Sequence, residues 1–149
     1  MKTQRIISYT LWANRIVAAV VGLLIFTLPA LIRWYAGLLH YTPPQNDMLG
    51  LTIAFDCCAV VIFVALWNME KLLCNLSRQV IFVPENVCRT RRVQWCCGIV
   101  AAICLVSTLF VLPMLLFAAI MGFLCLVVSV VASVLEAAVA IREENDLTI

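Results

Sequence analysis

The sequence predicts an all-α integral membrane protein, a four-helix bundle built from two antiparallel transmembrane hairpins with both termini in the cytoplasm. Three observations carry this prediction. Of 149 residues, 65% are hydrophobic and only 12% are charged, and the mean hydropathy is +1.09. A water-soluble domain of this length cannot hide so much apolar surface, because about a third of its unfolded-chain surface stays exposed. Apolar runs of about 20 residues, enough to cross a bilayer core at about 1.5 Å per residue, recur along the chain. Cations collect between alternate runs rather than within them. The composition excludes a soluble enzyme, a disordered regulator and a secreted disulfide scaffold, and 5 Gly with 5 Pro exclude a low-complexity linker.

The first span is expected over 11–32, interrupted late by Pro29, and the second over 49–69. Between them His40 to Met48 forms a short polar turn, since the Pro43-Pro44 pair cannot continue a helix. The stretch 93–141 is uncharged except at Glu136 and is too long for one crossing, so it must fold back. Pro113 supplies the break, giving spans over 93–112 and 116–141. The whole of 1–149 then reads as one transmembrane domain, with a helical cytoplasmic connection over 70–92 and a cytoplasmic tail over 142–149.

Orientation follows from the cations. All ten Lys and Arg except Arg33 fall at one end of the array, and cytoplasmic loops carry the excess of such residues. The tryptophans agree: Trp12, Trp67 and Trp95 lie at the inner ends of spans, and Trp34 lies at the outer end with Tyr35 and Tyr41. The N-terminal run is longer than the core of a secretory signal, and no small-x-small site precedes Arg33. It reads as a retained span. The expected location is the bacterial cytoplasmic (inner) membrane, crossed several times.

In the connection, a turn is expected near Ser77 to Val83, and Pro84 suits the first helical position. Glu85 and Asn86 suit the positive end of the helix dipole, and Glu85 and Arg89 have the spacing of a helical ion pair. Three stretches, Asn75-Leu76-Ser77-Arg78, Phe82-Val83-Pro84-Glu85-Asn86-Val87 and Arg89-Thr90-Arg91-Arg92-Val93, resemble a bacterial family of small four-span membrane proteins, the domain-of-unknown-function family DUF2975. The closing Arg142-Glu143-Glu144-Asn145-Asp146-Leu147-Thr148-Ile149 resembles that family's terminal signature. Gln79 and Val83 depart from the Gly and the Ser or Thr common at those places. The family has no established activity. The resemblance implies an association with a small helix-turn-helix DNA-binding protein, hence a membrane component coupled to a transcriptional regulator.

Two carboxyls fall inside apolar runs, Asp56 and Glu136. An acid near the bilayer centre costs about 2.5–3.5 kcal/mol on insertion scales, so each should face protein or water, be paired or be protonated. Asp56 has a candidate partner in Arg33, and Glu136 in Arg15 or Arg92. Asp56, Glu136, Arg33 and Arg15 are the candidate intramembrane polar residues, either as structural locks or as groups that titrate during transport. Small residues Ala118, Gly122, Cys125, Ser129, Ser133 and Ala137 suggest a close-packing face on span four, flanked by Ala132, Glu136 and Ala140. Cys97, Ala101, Cys104 and Thr108 suggest another on span three.

The 8 cysteines include no C-x-x-C, and the adjacent pairs Cys57-Cys58 and Cys96-Cys97 point about 100° apart on a helix, so no metal or redox centre is expected. The single histidine, His40, lacks further ligands apart from Asp47. No nucleophile, phosphate loop or metal cluster argues for an enzyme, and no cofactor is expected. A net charge of +2 and an acidic tail argue against direct nucleic-acid binding. Two functions stay open. In one, Arg78, Arg89, Arg91 and Arg92 with Glu143, Glu144 and Asp146 contact lipid headgroups or a cytoplasmic protein partner, and the protein is a regulatory or interaction component. In the other, a homo-oligomer carries a small solute or a proton on its intramembrane carboxyls.

Overall fold

The protein is described here from a computed structural model, which covers residues 2–38, 45–78, 80–109 and 111–147; within the helices, side chains are described except at 2–5, 28, 29, 32, 33, 35, 36, 38, 45–48, 146 and 147. The chain is all-α, with four helices and no strand among the described residues: α1 Lys2–Leu38, α2 Gln45–Ser77, α3 Pro84–Ser107 and α4 Met114–Leu147. The four-helix, all-α fold expected from the sequence is present. Three helical segments are long and apolar enough to cross a membrane: Ile6–Thr27, Leu49–Ser77 and Met114–Asn145. The third helix, α3, opens with Glu85, Arg89, Arg91 and Arg92. Its apolar part, Val93 to Ser107, rises only about 22 Å.

The helix ends differ from the sequence-based boundaries for identifiable reasons. The first helix continues through Pro29. Loss of one backbone donor and a clash with the preceding turn need not end a helix this long and apolar, because the remaining ladder still satisfies the backbone in lipid. Helix α2 is already under way at Gln45, directly after the Pro43-Pro44 pair; His40 and Tyr41 lie outside the described residues. Helix α3 stops at Ser107, short of residue 112. There the Ser107 and Thr108 hydroxyls donate back to the carbonyls of Ile103 (2.8 Å) and Leu105 (2.6 Å). Pro113 disfavours a helical conformation at Leu112 just beyond. The chain re-enters a helix at Met114, whose N–H donates to Val111.

The packing runs in chain order. Helix α1 packs on α2, α2 on α3 and α3 on α4, and no other pair of helices packs together among the described residues. The four helices form an open row. The buried apolar set among the described residues is small and mostly short in side chain: Ile7, Cys58, Leu73, Val87, Val93, Cys96, Val100, Ala118, Ala132 and Val139. Large apolar side chains face outward all along the row, with Phe26 86% and Leu109 84% exposed. In water such a surface would aggregate; in lipid it is the ordinary outer face of a spanning helix.

On the α4 side, the α3–α4 seam keeps a seven-residue repeat. Ala118, Ala132 and Val139 are buried on α4 with Cys125 half-buried between them, whereas the buried α3 residues Asn86 and Ser107 lie toward α2, where Asn86 bonds Asn75 and Ser107 lines a pocket with Leu51, Phe55 and Cys58. This repeat produces coiled-coil-like packing. It corrects the expected small-residue stripe: steps of four advance 400° around the helix, so Ser133 and Ala137 drift off the seam and are exposed. Gly98 lies opposite Cys125 at the centre, where an added Cβ would meet Cys125 Sγ at 3.6 Å, an ordinary van der Waals contact.

Candidate functional site

The α2–α3 connection is the most elaborately built polar feature of the described chain. After Ser77 the backbone turns, and the Val80 N–H donates to the Asn75 carbonyl at 3.1 Å. Pro84 occupies the start of α3 as the sequence predicts, behind an extended Val83 whose side chain offers no cap. The Asn86 N–H donates to the Val83 carbonyl at 3.0 Å, and its side chain ties the turn to the helix. Its Nδ2 donates to the carbonyls of Val80 (2.8 Å) and Ile81 (2.9 Å), and its Oδ1 accepts from Asn75 Nδ2 (2.8 Å). Only 3% of Asn86 is exposed, so these bonds form out of water, where leaving them unmade is costly. Thr90 extends the network by donating to the Asn86 carbonyl at 2.8 Å. The result is a latch that fixes Val80, Ile81 and Phe82 in an outward-facing tip, with 44%, 36% and 42% of each exposed.

Below this tip, two ion pairs staple neighbouring helices. Arg15 Nε of α1 meets Glu70 Oε1 of α2 at 2.9 Å, and Arg91 Nη2 of α3 meets Glu136 Oε2 of α4 at 2.6 Å. Neither pairing is the one expected. Arg15 does not meet Glu136, because α1 packs only on α2 among the described residues. Arg92 is turned about 100° from Arg91 around α3, which leaves Arg91 as the residue facing α4. Glu136 is therefore level with the arginine cluster. The expected Glu85–Arg89 pair is present at 2.5 Å. Trp12, Trp67 and Trp95 lie within about one turn of these pairs along their helices, and 68%, 56% and 73% of them is exposed. Lys71 Nζ rests 5.5 Å from the centre of a Trp67 ring. Arg78, Arg92, Arg142, Glu143 and Glu144 are exposed at the same end.

Asp56 sits apart, at the wall of a groove of about 170 Å³ between α1 and α2 whose other lining residues include Val21, Leu24, Ile25 and Phe55. Its Oδ1 is buried and has no hydrogen-bond partner among the described residues. The side chain of Arg33, the expected partner, lies outside the described residues, as does that of Asp146. Nearer the ion pairs, Asn14 Nδ2 donates across to the Leu66 carbonyl at 3.2 Å.

Residues 6–149 match the family described as protein of unknown function (DUF2975). The chain belongs to the DUF2975 family. Neither curated proteins nor solved structures provide a further match. In this family member the motifs noted in the sequence acquire a structural meaning: Asn75 and Asn86, one in each of the first two stretches, are the two side chains that bond across the connection.

Sequence reasoning passed over both asparagines as site residues, along with Glu70 and Asn14. The signal was present but short of a pattern. Asparagines and an acid beside apolar spans require partners, whereas a pair 11 residues apart across a turn has no helical spacing to betray it. The cysteines are free thiols; Cys58 lies against Cys104 across the α2–α3 seam. Among the described residues no group of three His, Cys, Asp or Glu could hold a metal.

Proposed function

We propose that this DUF2975 protein is a multi-pass protein of the bacterial inner membrane, serving as a regulatory or interaction component that holds a soluble cytoplasmic partner on its α2–α3 hairpin. The observation that carries the reading is the latched tip. Val80, Ile81 and Phe82 protrude where the chain leaves its apolar spans, and Asn75 and Asn86 hold their backbone in one shape. A preformed apolar surface lowers the ordering cost of association, which is how rigid docking surfaces gain affinity. The excess of cations at this end supports a cytoplasmic placement. Exposed Arg78 beside the tip and the acidic tail from Glu143 supply charge for orienting a partner.

A helix-turn-helix DNA-binding protein is the partner the family resemblance suggests. The test is co-expression of the two and purification of the membrane protein in detergent. Retention of the DNA-binding protein, with loss on Phe82→Asp, supports the reading; a partner that stays soluble and unbound removes it.

A second reading, transport of a proton or small solute by an oligomer, draws support from Asp56 alone. A buried carboxylate oxygen that no described residue bonds, beside a groove between α1 and α2, offers a transported proton or cation an acceptor. Glu136 already has its cation. Flux in proteoliposomes that is abolished by Asp56→Asn and retained by Glu136→Gln would favour this reading; flux unaffected by Asp56→Asn would end it.

A further inference from the structure

A cleft of about 490 Å³ opens between the first half of α3 and the last half of α4, within the size range of about 300–1,000 Å³ for small-ligand sites. Arg91, Arg92 and Trp95 line it from α3, and Glu136, Val139 and Glu143 line it from α4. One wall thus carries two guanidinium groups, the other two carboxylates. The Arg91–Glu136 pair bridges the walls, with both side chains more than half exposed. Arg92 and Glu143 have no ion-pair partner among the described residues. Trp95, one turn from Arg91 toward the apolar part of α3, is 73% exposed. An indole so placed sits at the boundary between hydrocarbon and headgroups.

We infer that this cleft binds the headgroup of a phospholipid that carries both a phosphodiester and a primary ammonium, that is, phosphatidylethanolamine. The phosphodiester accepts from Arg92 and from the outer face of Arg91, and planar guanidinium groups suit phosphate oxygens. The ammonium donates to Glu143 and Glu136. The walls sum to zero charge, which matches a zwitterion. An anionic glycerol headgroup satisfies the arginines through the same single phosphodiester but offers the carboxylates only neutral hydroxyls, leaving their charge uncompensated. A choline headgroup has no N–H to donate to them. Val139 and Trp95 leave an apolar exit toward the acyl chains. The inference goes beyond the partner reading: it concerns a lipid, centres on the α3–α4 cleft rather than the α2–α3 tip, and requires no second protein.

The test is lipid titration of the purified full-length chain in detergent, with bound lipid counted by native mass spectrometry for phosphatidylethanolamine, phosphatidylglycerol and phosphatidylcholine of matched acyl chains. The expected result is a preference for the ethanolamine lipid. Glu143→Gln should weaken its binding by about tenfold, the loss of a charge-assisted hydrogen bond. Arg92→Ala should do the same while Arg92→Lys retains most binding. Equal or tighter binding of the glycerol or choline lipid overturns the inference, as does unchanged ethanolamine-lipid binding in Glu143→Gln. Should Arg92→Ala fail to fold, Glu143→Gln alone decides, because its exposed side chain is isosteric with the original.

Discussion

Arg91 and Glu136 meet at 2.6 Å across the α3–α4 seam, while Arg92, the next residue along the chain, carries no ion pair among the described residues. Both partners are more than half exposed, at 57% and 55% of their side chains, and ion pairs of that exposure contribute about 1 kcal/mol or less. Glu136→Gln should therefore lower the melting temperature in detergent only slightly. Exchanging the two residues, Arg91→Glu with Glu136→Arg, should restore it. A large loss from Glu136→Gln would show the pair to be more buried than this geometry.

Asn86→Ala removes two donors and one acceptor from a side chain that is almost wholly buried. The carbonyls of Val80 and Ile81 and the Asn75 amide would lose their partners, at about 1–3 kcal/mol each where water cannot replace them. The expected outcome is faster hydrogen exchange and proteolysis over 78–83, with α4 unaffected. Asn86→Asp should behave almost as badly, because a carboxylate cannot donate to the carbonyls.

Asp56→Leu is expected to raise the melting temperature. It removes a buried oxygen with no hydrogen bond and fills a groove that is otherwise apolar. A fall in melting temperature would mean that the carboxyl has a partner, with Arg33 of α1 the residue to vary next.

At the α3–α4 seam, Ala132 is 2% exposed. Ala132→Leu should cost about 1–3 kcal/mol through overpacking, whereas Ala137→Leu, on the exposed side of the same helix, should be close to neutral. The comparison of the two melts separates the seven-residue seam from the stripe of small residues that the sequence suggests.

The helices and their breaks were legible because prolines and charge steps mark them: Pro84 begins α3, and Pro113 lies in the break before α4. Pairing was less legible. Where both faces of a helix are apolar, periodicity cannot say which face meets a neighbour and which meets lipid. This is why Glu136 could be assigned to Arg15 or Arg92 when one turn of helix geometry, and the separation of α1 from α4, select Arg91. The Asn75–Asn86 bond was hidden for another reason, since it joins two helices across a turn whose course depends on that bond.

Because, among the described residues, each helix packs only on its neighbours in the chain, the protein can be completed in the order in which it is synthesised. Every helix leaving the ribosome already has its docking surface in place, and no early segment must be stored until the last one arrives. Assembly then resembles laying planks side by side, with the freshly placed edge always the one that receives the next.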